Sequence, residues 1–191
     1  MFYVLYKDIS NIKESDLSIY PSFLFKRSNK YRDDFRRLQS KVSYAILYDS
    51  LKKHFNITLK GKDLDLNNLS LNVDNLYFSI AHSKNLVVVA ISNTNIGVDI
   101  ECIDHLKEKY HLAPKILNEV EYKHFLRITP KYKPYYYTKC WTRKESFVKY
   151  KHTLLNSFVF KKDLSMFDYE YYHIIDNLKN EYIICLCKSF A

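Results

Sequence analysis

Two short segments carry the side chains of this sequence best placed to do chemistry together. In Ile96-Gly97-Val98-Asp99-Ile100-Glu101, apolar residues alternate with Gly97, Asp99 and Glu101. A strand with that pattern points both carboxylates to one face. In Trp141-Thr142-Arg143-Lys144-Glu145-Ser146-Phe147-Val148-Lys149, helical spacing sets Glu145 and Lys149 one turn apart on one side. If the segments meet, Asp99, Glu101 and Glu145 share a site with Lys144 and Lys149. Three carboxylates and two lysines can hold a hard divalent cation and the phosphates bridged to it.

The elements that must position these groups follow from periodicity and breakers. Residues 2–6 read as a first strand, and residues 21–31 as a basic, aromatic loop with Lys26, Arg27 and Lys30. Residues 32–55 read as a long helix with an apolar stripe of Phe35, Leu38, Val42, Ala45, Ile46 and Leu51. Asp33 and Asp34 favour its first turn. Residues 56–73 are polar and mostly loop. Residues 76–80, 86–92 and 96–102 read as three antiparallel strands, with Asn93-Thr94-Asn95 as the turn between the last two. Short helices are expected near 105–110 and 114–126. Pro130 and Pro134 precede a helix over 135–150. Residues 157–161, 169–175 and 182–187 read as three more strands. The expectation is an α+β chain of two similar halves, 1–101 and 102–191, each a long helix on antiparallel strands.

Composition narrows the classes. A chain of 191 residues that is 47% hydrophobic and 16% aromatic can bury a core, and 2 Gly and 4 Pro argue against disorder or repeats. The net charge of +9 fits an acidic partner, but a nucleic-acid-binding protein would carry the same sign. Cys102, Cys140, Cys185 and Cys187 form no C-x-x-C pair, which disfavours zinc and fits reduced, buried thiols. No signal-peptide pattern and no long apolar run occur, so a cytoplasmic chain without a membrane span is expected.

The two opening segments resemble the signature of the 4'-phosphopantetheinyl transferases of the Sfp type. That signature is Gly-Val/Ile-Asp, a gap, then aromatic-Ser/Thr/Cys-x-Lys-Glu-Ser/Ala-x-x-Lys. Gly97-Val98-Asp99 and Trp141 to Lys149 supply the two blocks, and Asp99-Ile100-Glu101 the acidic extension. Phe78-Ser79-Ile80-Ala81-His82-Ser83 is similar to the family's histidine block. Asn118-Glu119-Val120-Glu121-Tyr122 is similar to its glutamate block. All four stand in family order. Three positions depart from the pattern. Ala81 replaces a common serine, Leu66-Asn67-Asn68 a Gly-Lys-Pro element, and Lys151-His152-Thr153 a glycine-bearing turn.

The resemblance implies transfer of 4'-phosphopantetheine from coenzyme A to a serine of an acidic apo acyl or peptidyl carrier protein, with release of 3',5'-ADP. It implies a pseudo-two-fold monomer with the active site in the cleft between the halves. Mg²⁺ would be held by Asp99, Glu101 and Glu145. Glu121, Glu145 and Lys149 would be catalytic. His82, Lys144, Lys149 and a basic residue early in the long helix, Arg37 or Arg36, would bind coenzyme A. Neither nucleic acid nor membrane is an expected partner.

Two other readings stay open on the residues alone. The departures in the histidine and Gly-Lys-Pro blocks fit a degenerate transferase with weak coenzyme A binding. The basic, tyrosine-rich composition fits a nucleic-acid-binding protein. A metal-dependent nuclease is disfavoured, because Lys144-Glu145 reverses the usual order and lies in a helix.

Overall fold

The structure, a computed structural model, describes residues 2–65 and 70–188. It is mixed α+β and divides into two compact units between Thr94 and Asn95.

The first unit opens with β1 (Phe2–Asp8) and three short 3₁₀ turns, Glu14–Leu17, Ser22–Phe25 and Ser28–Lys30. The long helix α1 spans Asp34–Phe55. Its start is set by Asp33, whose carboxylate accepts the Arg36 N–H at 2.7 Å. Its end is set by Asn56 in the left-handed region at φ 57°. Next come β2 (Leu64–Asp65), β3 (Ser70–Leu71), β4 (Tyr77–Ser83) and β5 (Leu86–Ser92). All pair antiparallel in the order β1-β5-β4-β3-β2. Val42, Ala45, Leu47 and Leu51 of α1 share a core with Val87, Val89 and Ile91 of β5. Phe35, expected in that stripe, is 43% exposed in the first turn, ahead of the part of the helix that meets the sheet.

The second unit starts with β6 (Ile96–Cys102), followed by α2 (Ile103–Lys107), a 3₁₀ turn at Tyr110–Leu112 and α3 (Ala113–Ile116). After these come α4 (Glu119–Arg127), a 3₁₀ turn at Pro130–Tyr132, α5 (Lys133–Tyr150), α6 (Ser157–Lys161), β7 (Asp168–Ile175) and β8 (Glu181–Lys188). The sheet order is β6-β8-β7, all antiparallel.

Three features differ from expectation. The turn at Asn93–Asn95 does not close a hairpin, because β6 pairs with β8 along its whole length. Asn95 joins the second unit: its amide donates to the Tyr150 carbonyl, and its carbonyl oxygen lies 3.0 Å from His152 Nε2. The division therefore falls before β6 rather than after Glu101. Ser157–Lys161, expected as a strand, is a single helical turn capped by Asn156, whose side chain accepts the Val159 N–H at 3.1 Å.

The two units share one element order. In each a strand precedes the long helix, and the last strand of the unit lies between that first strand and the strand just before it: β1-β5-β4 within the five-stranded sheet of the first unit and β6-β8-β7 in the second.

Candidate active site

The site is built where β6 runs under α5. In register with β8, Gly97 faces Cys187, Asp99 faces Cys185 and Glu101 faces Ile183, so all six share one side of the sheet. The Ser146 hydroxyl of α5 lies 3.4 Å from Cys185 Sγ, which identifies that side as the one α5 covers. Gly97 makes the close approach possible. A Cβ there would come far inside contact distance of the Ser146 carbonyl oxygen and 2.5 Å from the Tyr150 nitrogen. Both are backbone atoms of a helix and cannot swing aside.

With the backbones this close, Asp99 reaches α5. Lys149 Nζ donates to Asp99 Oδ1 at 2.8 Å. Asp99 is only 6% exposed, and its second oxygen, Oδ2, is buried with no hydrogen-bond partner. Burial pushes the Asp99 carboxyl above its usual range, against the pull of the Lys149 ammonium and the Ile100 N–H. Burial and then the charge of Asp99 push Glu145 upward too, with Lys149 and Lys109 opposing. Two mutually repelling carboxylates thus share one ammonium. Glu101 lies two residues along the same strand face, with His105 Nδ1 3.9 Å from its Oε2.

This donor set suits a hard cation. An orphaned buried carboxylate oxygen and a repelling carboxylate pair are both relieved by a divalent ion among oxygen ligands. In the arrangement observed, the Lys149 ammonium supplies the positive charge. Among the described residues no three His, Cys, Asp or Glu side chains stand close enough together to hold a metal ion. The charge of Asp99 acts on Glu145 across the β6–α5 contact, and Glu101 stands two residues along the same strand face.

Glu121 and Lys144 are placed differently from expectation. Glu121 closes a capping box at the start of α4: its N–H donates to Asn118 Oδ1 at 2.9 Å, and its Oε2 accepts the Asn118 N–H at 2.8 Å. Arg143 pairs with Oε1, and Lys144 Nζ lies 2.8 Å from Oε2. Lys144 also donates to the Phe160 carbonyl at 3.0 Å and is fully buried. The ammonium expected at a phosphate is turned into the protein in this structure, where burial lowers its pKa. Glu121, expected as a base, has both oxygens committed to joining α4 to α5. Arg143 was missed in the sequence. The signal was present, since a motif placing Arg143 beside Lys144 needs a carboxylate wherever both turn inward.

In the first unit, His82 is half-buried on β4 opposite Val87. Arg36 is exposed near the start of α1. Arg37 is held by acids of its own unit, with Nη2 2.5 Å from Asp34 Oδ1 and Nε 3.7 Å from Glu14 Oε2. Ala81 is buried. The Leu66-Asn67-Asn68 departure lies outside the described residues. The turn after α5 takes a left-handed residue at His152, φ 49°, which explains why a glycine-bearing turn is expected there.

Among the described residues no helix is long and apolar enough to cross a membrane. No curated protein matches the chain. Residues 95–188, from the start of the second unit to the end of β8, carry a domain that matches the 4'-phosphopantetheinyl transferase superfamily.

Proposed function

We propose that the protein is an Sfp-type 4'-phosphopantetheinyl transferase. It moves the 4'-phosphopantetheine group of coenzyme A to a serine of an acidic apo carrier protein and releases 3',5'-ADP. The observation that carries this reading is the Asp99–Lys149–Glu145 cluster at the Gly97 crossing, inside the segment that matches the superfamily. The shared order of the two units supports a two-halved transferase in one chain.

Asp99 and Glu145, with Glu101 beside them, would hold Mg²⁺. Bound there, the ion supplies positive charge against the pyrophosphate of coenzyme A. Lys149, released from Asp99, would contact phosphate oxygens as a compact point charge. His82 and the exposed Arg36 remain the proposed coenzyme contacts of the first unit. Arg37 can join them only by exchanging Asp34 and Glu14 for phosphate.

In the transfer the serine oxygen forms a bond to the β-phosphorus, and the bond from that phosphorus to the bridging oxygen breaks. 3',5'-ADP leaves with the electron pair. The serine proton needs an acceptor. Glu145 is the proposed acceptor rather than Glu121, whose oxygens are already engaged.

Incubation with coenzyme A, Mg²⁺ and a panel of apo carriers, followed by intact mass spectrometry, tests this. The reading predicts the gain of one phosphopantetheine on at least one carrier, abolished by EDTA. Transfer that persists in EDTA would remove the metal assignment.

A further inference from the structure

The stretch from Tyr122 to Lys144 holds seven Lys or Arg and no Asp or Glu. Its middle, the Pro130–Tyr132 turn and the start of α5, borders a cleft of about 330 Å³ closed by α2 and the β7–β8 turn. Ile103, Pro134, Tyr132 and Tyr135 give it apolar walls, with Tyr132 56% and Tyr135 41% exposed. Lys131 and Lys179 stand on its rim and, among the described residues, form no ion pair. The two acids of the lining are already engaged, Asp104 by Lys107 at 2.5 Å and Glu181 by His173 at 2.9 Å.

The rim is preformed. Lys131 rests over the Tyr132 ring at 4.6 Å. Lys179 sits at φ 62° in a turn fixed by Asp176, whose carboxylate accepts the N–H groups of Leu178 and Asn180 at 2.9 and 2.8 Å. The cleft also adjoins the candidate cation site. α2 follows β6 directly, so Ile103 lies two residues past Glu101, roughly 7 Å along an extended strand. His105 of the same α2 is the residue beside Glu101.

We propose that this cleft is a docking site for an acidic protein. Apolar side chains of the partner enter between Tyr132 and Tyr135, and carboxylates of the partner meet Lys131 and Lys179. The inference rests on the transferase reading, with the apo carrier as the partner, and it adds where that carrier is gripped. A bounded cleft of about 330 Å³ with carboxylates of its own suits a protein surface. A nucleic-acid backbone tracks a continuous basic groove, and a membrane meets a broad apolar face. Rim charges act on encounter and partner choice more than on chemistry.

The test compares wild type with a Lys131→Glu, Lys179→Glu double variant on a modified carrier, with calorimetry of 3',5'-ADP in Mg²⁺ as a second readout. The expected result is a carrier KM raised about tenfold, with kcat and nucleotide binding unchanged. Reversing an acidic residue of the carrier to Lys should recover part of the loss. An unchanged KM while wild type transfers normally would overturn the docking site and leave the transferase reading intact. Failure of wild type to modify any carrier or bind coenzyme A would remove both. Tighter binding to a single-stranded RNA oligomer or anionic vesicles than to any carrier, lost in the double variant, would assign the surface to a polyanion and overturn the proposal.

Discussion

Replacing Glu145 by Gln should make the ligand-free protein more stable while removing transfer. Glu145 is a partly buried helix residue, raised by burial first and by Asp99 second. Gln keeps its size and removes its charge. The gain is limited because the lost carboxylate also attracts Lys149 and Lys109. Relief of such a site is worth about 0.5–2 kcal/mol. At about 2–4 °C per kcal/mol for a chain of this size, the melting temperature should rise by roughly 1–8 °C. The pH dependence has a fixed sign. With its carboxyl raised in the folded state, Glu145 keeps a proton that the unfolded chain has already lost, so the folded state loses stability as pH rises through the folded pKa. The Gln variant should match wild type below the ordinary glutamate range and pull ahead above it. Thermal melts in EDTA across pH 3.5–8 measure this. A Gln variant less stable than wild type at neutral pH would refute the claim that Glu145 and Asp99 repel in a buried site.

Glu121→Gln should lose stability rather than chemistry alone. It removes the carboxylate that pairs with the buried Lys144 and with Arg143 and leaves one acceptor oxygen for the Asn118 N–H, Arg143 and Lys144, at a cost of about 3–5 kcal/mol, visible as a lower urea midpoint. A well-folded but inactive Glu121→Gln variant would instead restore Glu121 as the base. Gly97→Ala should cost about 3 kcal/mol or more, since the new methyl meets backbone atoms of α5 that cannot move aside. Chemical denaturation measures it, and a change below about 1 kcal/mol would mean that α5 can shift away from β6.

The chemistry of the site was legible because it depends on local period. Alternation over 96–101 put Asp99 and Glu101 on one face, and helical spacing over 141–149 put Glu145 beside Lys149. The structure adds why the two must meet, which is the missing Cβ of Gly97. The misread features depend on distant partners. Asn93-Thr94-Asn95 has turn composition, but only pairing with β8 reveals that the chain is changing sheets there. Residues 157–161 hold strand-forming types, yet a capped single turn forms after Asn156. Lys144 reads as a phosphate contact until Glu121 and Phe160 are folded against it. Its burial could not be read from neighbours in the sequence, because both partners lie on other elements.

The central claim is that Asp99 and its neighbours form a cation-dependent phosphate site. Calorimetric titration of coenzyme A into wild type and Asp99→Ala, each with Mg²⁺ and with EDTA, tests it most directly, with circular dichroism confirming the fold. The account predicts binding by wild type that requires Mg²⁺ and is lost in the folded Ala variant. Binding that is unaffected by EDTA, or retained by Asp99→Ala, would contradict it.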